Sequence, residues 1–552
     1  MSQHRSRRSI TPKSSPRLFN INHIGVTLIA SAVIGLGATS AYAEIGPLTQ
    51  QQRSDEAYKV RKEAAEANRL RKQPSHPSNG DEVRYPTHFN SYSKGLPHDA
   101  LGVVSPSAYD ALIYALKTGL NADFEAIPMG GVSKQRDPQA AYTYFLEGRD
   151  PWSLTMAPAP VFASAQQASE SIEVLWQALT RDVPFAQYAG NALTQQAAAD
   201  LSRFSDFRGP KAGGQVTPDT LFRGIAPGEL SGPYLSQFLW KSVPFGAMTV
   251  AQKYTVPMAG NDHLTNYNEW LAIQNGANPS GMTSFTPDPT PRYLRNNRDL
   301  AQYVLRDFNA QAYMNAALII NSFGSGVYAD SNPLNSTVTQ TREPMWGINH
   351  ALDLVSRMAV MSQSVAWYQK WLVHRRARPE VFFGRVHNHV TGVATYPINS
   401  ELLTSPALGL TYSQNATYLL PMATPGGSPL HPSYPAGHAT MAGAATTVLK
   451  AFFKGSYVIP SPVQASDDGL TLNTYSGPAL TIEGELNKLA TNISIGRDAA
   501  GVHFRSDGDP GLALGEAMAI SVLSDLVNTY HEDFSGFTFN KFDGTSITIK
   551  KR

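Results

Sequence analysis

Three long stretches with apolar residues near the 3.6-residue period decide what class of fold this chain can adopt. They are AQYVLRDFNAQAYMNAALIINSF (301–323), MWGINHALDLVSRMAVMSQSVAWYQKWLVHR (345–375) and ALGEAMAISVLSDLVNTY (513–530). In the second, Leu352, Val355, Ala359 and Ala366 recur at helical spacing; in the third, Ile520, Leu523 and Leu526 share a face. Each predicts one long helix whose apolar stripe must be buried, and Pro379 is expected to close the second. The final FTFNKFDGTSITIK alternates like a hairpin around Asp543-Gly544. The predicted fold is mainly α: a helical bundle with long Pro- and Gly-rich loops, a small C-terminal hairpin and no fixed-period repeat.

Composition supports a large buried core. Only 16% of the 552 residues are charged and 42% are hydrophobic, which excludes general disorder. A formal charge of +2 gives no global field for nucleic acid. Residues 1–43 read as an export signal: a basic start, the apolar run IGVTLIASAVIGLGA (24–38), and Ala41-Tyr42-Ala43 as the cleavage site. That run is shorter than the ~20 residues of a membrane span, and no later stretch reads as one. The expectation is an exported protein, periplasmic or extracellular. SDEAYKVRKEAAEANRLRK (54–72) reads as a charged surface helix, followed by a Pro/Ser/Asn-rich break at 74–80. Residues 44–100 are therefore expected to form an N-terminal arm, and 101–552 a helical domain whose chemical core spans about 345–530. With no cysteine in the chain, disulfides, thiolate metal sites and thiol nucleophiles are excluded.

The candidate chemistry lies in three separated segments. KWLVHRRARPE (370–380) carries Lys370 and Arg378, HPSYPAGHAT (431–440) places Gly437 and His438 at a helix start, and GRDAAGVHFRSDGD (496–509) adds Arg497, His503 and Asp507. On one continuous helix Lys370 and Arg378 would lie roughly 80° apart in azimuth, near enough to converge. Two Arg, one Lys, two His and free backbone N–H groups describe an oxyanion cage. Taken singly, each segment has an ordinary explanation as a turn or a solvated helix end.

Together, the segments resemble the signature of vanadium-dependent haloperoxidases, shared in looser form with the type-2 phosphatidic acid phosphatase and bacterial acid phosphatase superfamily. NGDEVRYP (79–86), KGLPHD (94–99), FRGIAPGELSGPYLSQF (222–238) and NKLATNISIGRDAAGVHFRSDGDPGLALGE (487–516) resemble the algal bromoperoxidase subgroup and its bacterial relatives. The resemblance implies vanadate as cofactor, one per subunit, and His503 as the axial vanadium ligand. It implies that Lys370, Arg378, Arg497 and the Gly437 N–H neutralise the equatorial oxygens, and that His438 is the acid–base group. The reaction implied is redox-neutral at vanadium: peroxide replaces an oxygen ligand, Lys370 polarises it, halide attacks, and hypohalous acid halogenates small organic substrates. The family also suggests a homo-oligomer, a dimer or larger, and a structural divalent cation.

Some positions leave the chemistry open. The family usually has serine where this chain has Ala436, so one hydroxyl donor to vanadate is missing. Trp367, one helical turn before Lys370, is either core or a wall of the halide pocket. A Trp there resembles the fungal chloroperoxidase branch, whereas His431 resembles the bromoperoxidase branch; bromide is the favoured expectation. Asp507 either orients the second ring nitrogen of His503 or is a surface cap. His374, His387 and His389 read as structural. An acid phosphatase using His503 as nucleophile is the alternative enzyme, and a non-catalytic oxyanion-binding protein is the alternative outside enzymes.

Overall fold

The computed structural model describes residues 45–281 and 285–552, so the expected leader at 1–43 lies outside the described residues. By internal contacts the chain forms a small unit, Met1–Ala57, and a large one, Tyr58–Arg552. The charged helix expected near 54–72 runs as α1, Gln50–Arg69, and none of its residues is buried. The expected arm ends well before residue 100. Phe89, Tyr92 and Leu96 are buried in the body, and Lys94 is ion-paired there with Glu380 at 2.6 Å.

Later helices include α2 (Ala165–Leu179), α3 (Asn297–Arg306), α4 (Gln311–Asn321), α5 (Ile348–Tyr368), α6 (Pro379–Val390), α7 (Gly437–Phe452), α8 (Ile482–Ala499) and α9 (Arg505–Leu526). Among the described residues the strands form three antiparallel hairpins: β1–β2 (243–250), β3–β4 (463–474) and β5–β6 (537–549). The last is the predicted C-terminal hairpin, with Gly544 at φ +81° in its turn.

Four helix expectations need correction. The stretch 301–323 is two helices, because Asp307 leaves α3 with ψ 152°. Short polar side chains such as those of Asp307 and Asn309 compete with the backbone for hydrogen bonds and disfavour helix interiors. The stretch 345–375 is α5 followed by a π-helical turn, Gln369–His374, that ends where Arg375 takes φ +41°. Pro379 does not close that helix; it opens α6 at the first helical position, where its missing N–H costs nothing. The third helix begins eight residues earlier than its apolar spacing indicates, because the Asp507 carboxylate accepts the Phe504 N–H and caps the start. Contrary to the expectation that no later stretch reads as a span, Arg505–Thr529 is long and apolar enough for one. It is instead a core helix, with Arg505 and Asp507 buried in it.

Helix α7 is the centre of the bundle and packs on α5, α8 and α9. Its contact with α9 is backbone on backbone. A Cβ at Gly443 would land on the Leu512 carbonyl oxygen, and one at Gly515 on that of Thr440, far inside contact distance. Only glycine permits this approach. It brings the start of α7, with Gly437 and His438, beside the start of α9, where the Ala436 N–H donates to the Asp507 carbonyl at 2.8 Å. We expect Gly515→Ala to force the helices apart and to lower stability by about 1–3 kcal/mol or more. Urea unfolding of the variant beside wild type measures this; an unchanged midpoint would show that the interface can yield.

Candidate active site

The three sequence segments meet where α7 and α9 begin. Lys370, on the π-turn, is fully buried and donates to the carbonyls of Pro432 (2.6 Å) and Ser433 (2.8 Å). Arg378, the N-cap of α6, is also fully buried and holds the same loop. Its Nε donates to the His431 carbonyl at 3.0 Å, and its guanidinium lies 3.0 Å from His431 Nδ1 and 2.9 Å from His503 Nε2. Lys370 and Arg378 do converge, but across a helix break rather than along one helix. A π-turn is a common way to redirect a side chain at a functional site.

His503 is fixed by its other nitrogen. Its Nδ1 donates to Asp507 Oδ2 at 2.9 Å, which leaves the Nε2 lone pair pointing away from that carboxylate. Asp507 is therefore no surface cap. It is wholly buried and also accepts from Arg376 (2.7 Å), the Ser433 hydroxyl and the Phe504 N–H. Arg497, buried on α8, donates to the Val304 carbonyl at 2.7 Å, and its Nε has no partner. His438 lies with Nε2 3.1 Å from Asp307 Oδ1, the residue that breaks α3 from α4.

The electrostatics are one-sided. Lys370, Arg378 and Arg497 are buried, and among the described residues none has a carboxylate at ion-pair distance. Burial, and for Lys370 next the Arg378 charge, pulls the lysine well below its ordinary range; burial brings Arg378 and Arg497 down to about 10. Burial first, then Arg378, keeps the His503 imidazole neutral, and burial with Lys370 does the same for His431. Burial alone would raise Asp507, but Arg376 and His503 more than reverse it and hold the carboxyl below the usual range. Buried cations without anions are costly, so this arrangement fits a bound anion. The first turn of α7 adds to the fit. Its N-cap, Ala436, has no side chain to accept from the orphan N–H groups of Gly437, His438 and Ala439. The chemistry of this donor set, all cations, N–H groups and one neutral imidazole nitrogen, suits a tetrahedral oxyanion that also accepts one nitrogen ligand.

A cavity of about 840 Å³ opens onto this cluster, walled by Arg497, His503, Gly437, His438, Asp307, His431 and Trp367 among others. Lys370, Arg378 and Ala436 lie behind its wall rather than in it. Trp367 is wall rather than core: its ring centre is 4.6 Å from that of His431, and its indole N–H donates to the Arg136 carbonyl at 3.0 Å.

Residues 352–532 match the family profile described as the VCPO second helical-bundle domain. A vanadium-dependent bromoperoxidase of Ascophyllum nodosum is 36% identical over 527 residues, covering 91% of this chain and 93% of the relative. One from Corallina pilulifera is 33% identical, covering 90% and 99%. Among solved structures, the homohexameric second vanadate-dependent bromoperoxidase of Ascophyllum nodosum superposes with a TM-score of 0.88 at 29% identity, over 95% of each chain. The chain belongs to the vanadium-dependent haloperoxidase family.

Several residues of this haloperoxidase's site carry no sequence signature. Asp307 sits inside an apolar helical pattern, and only the Asp-Phe-Asn triplet hints at a break. Arg376 lies within the quoted RRARP run, yet nothing in one sequence separates it from a solvated helix-end cation. In the fold it is buried, bonded to Asp507, Ser506 and Gln167 of α2. Lys94, 2% exposed, donates to Glu380 and to the carbonyls of Gly426 and Ser428, fixing the loop that leads into His431. His387 and His389 accept the N–H groups of Tyr418 and Tyr396, and His374 packs edge-on against Tyr434, all structural roles. Among the described residues no cluster of three or more His, Asp or Glu side chains is arranged for a metal ion.

Asp507→Asn should unbalance Arg376 and free the His503 ring at once. Removing one partner of a buried ion pair costs about 3–5 kcal/mol, and the vanadate concentration needed to activate apoprotein should rise more than tenfold. Thermal unfolding and vanadate titration of the variant read the two effects separately. Wild-type affinity in the asparagine form would remove Asp507 from the positioning role.

Proposed function

We propose that the cage takes one orthovanadate per subunit and that the enzyme uses it with hydrogen peroxide to oxidise halide, bromide before chloride. The hypohalous acid formed then halogenates small organic acceptors. The observation that carries this is the set of three buried basic side chains that, among the described residues, have no carboxylate partner, gathered around a helix start and a neutral His503. Bound vanadate supplies a Lewis-acidic centre that activates peroxide toward halide without a change of oxidation state.

The chain's own residues divide the remaining work. His503 offers Nε2 as the vanadium ligand, because its Nδ1–H is committed to Asp507. Lys370, Arg378, Arg497 and the Gly437 N–H balance the oxyanion charge, and anion binding draws the depressed Lys370 back to its charged form. With Nε2 of His438 held by Asp307, Nδ1 is the atom left to take and return the peroxide proton. Trp367 and His431 form the wall that halide passes. The homohexameric relative supports a homo-oligomer, a dimer or larger, and the N-terminal sequence supports export.

The deciding experiment is a bromination assay of apoprotein with and without orthovanadate, in the presence of peroxide. Activity should appear only with vanadate, be lost in His503→Ala, and be inhibited by phosphate, a competing tetrahedral oxyanion. Fast hydrolysis of p-nitrophenyl phosphate with no halogenation at saturating vanadate would instead establish the phosphatase. Binding of vanadate with neither activity would establish an oxyanion carrier.

Ala436→Ser should restore a hydroxyl donor where α7 begins. A hydrogen bond to a charged group is worth about 1.5–3 kcal/mol, and a water filling the alanine's place would keep the gain near the lower figure, roughly tenfold in affinity. The vanadate concentration for half-reactivation of apoprotein tests this. Equal values in both forms would show that the residue faces away from the oxyanion.

A further inference from the structure

A second cavity, of about 400 Å³, adjoins the first, and Asp307 lines both. Its walls are mostly apolar and aromatic. Tyr254 and Tyr303 meet edge to face with ring centres 5.0 Å apart, and Phe285 faces the Arg306 guanidinium at 6.0 Å. Two of its polar groups are left over by the fold. Arg306 is exposed and, among the described residues, has no acidic partner. The Tyr303 phenol is buried and, among the described residues, has no hydrogen-bond partner; Gln311 lines the cavity beside them. By contrast, the Tyr254 hydroxyl is held by Gln252 at 2.9 Å, which fixes its ring as a wall.

We propose that this cavity is the acceptor site of the enzyme, and that it takes an aromatic acid: an electron-rich ring, phenolic or enolic, that bears a carboxylate. The ring would pack between Tyr254, Tyr303 and Phe285, and the carboxylate would pair with Arg306, the cation at this mouth, which among the described residues has no protein anion. The volume suits a single ring with substituents. The inference rests on the halide oxidation proposed above for its oxidant. Hypobromous acid made in the first cavity meets the acceptor on the other side of Asp307. A carbon–bromine bond replaces a carbon–hydrogen bond, the O–Br bond breaks, and the released proton leaves with the hydroxide as water. Placing the acceptor there makes halogenation a site-directed step rather than a reaction in bulk solvent.

The test uses the full chain and 4-hydroxybenzoate as probe. Calorimetric titration without peroxide or bromide should give one saturable site. Arg306→Ala should weaken it about tenfold, and Tyr254→Ala should weaken both 4-hydroxybenzoate and neutral phenol. Arg306 is exposed, so its loss leaves the fold intact. In turnover, Arg306→Ala should raise KM for 4-hydroxybenzoate without lowering kcat, and should leave tribromide formation in the absence of acceptor unchanged. Absence of saturable binding to wild type, or equal affinity in Arg306→Ala, overturns the proposal. Because binding is read without oxidant, failure of tribromide formation would count against the halide reaction alone.

Discussion

The Asp507 carboxylate is the contact on which the rest of the site depends. It is an anion set inside a shell of buried cations, and the donors it accepts come from three separate pieces of chain. His503 comes from the loop before α9, Ser433 from the loop before α7, Arg376 from the link between the π-turn and α6, and the Phe504 N–H from its own helix start. One group thus sets the tautomer of an imidazole, caps a helix and joins three segments distant in sequence. A carboxylate suits this role because it offers about four acceptor positions in fixed directions.

What surrounds that contact was legible in the sequence to different depths. The helical class, the C-terminal hairpin and the three chemistry-bearing segments could be read from periodicity, turn residues and the clustering of Lys, Arg, His and Gly. Helix ends could not. A π-turn after Tyr368 and a break at Asp307 are decided by tertiary contacts that override local spacing, and Pro379 is equally at home after one helix or at the start of the next. The assumption of a continuous helix gave Lys370 and Arg378 their right meeting point by the wrong route. The residues that hold the site, Asp307, Arg376, Lys94 and Glu380, stayed hidden because each forms its partnership with a segment far off in the chain. Asp507 was half visible: four residues from His503 on a helix is a legible spacing, but its burial was not.

The glycines of α7 and α9 show the same limit from the side of packing. In sequence, Gly443 and Gly515 weaken a helical pattern. In the fold they let two helices touch through their backbones, which places the two helix starts of the active site side by side. A local cost to helix propensity becomes a condition of the chemistry.

The carbonyls that Lys370 and Arg378 already grip have a bearing on how the enzyme matures. Pro432, Ser433, His431 and Val502 lend backbone oxygens to these side chains, so each is held in place before any oxyanion arrives. The polypeptide can therefore complete its fold first and acquire its inorganic partner afterwards, as a finished vessel receiving cargo. Only the later supply of the oxyanion limits how much of it becomes active.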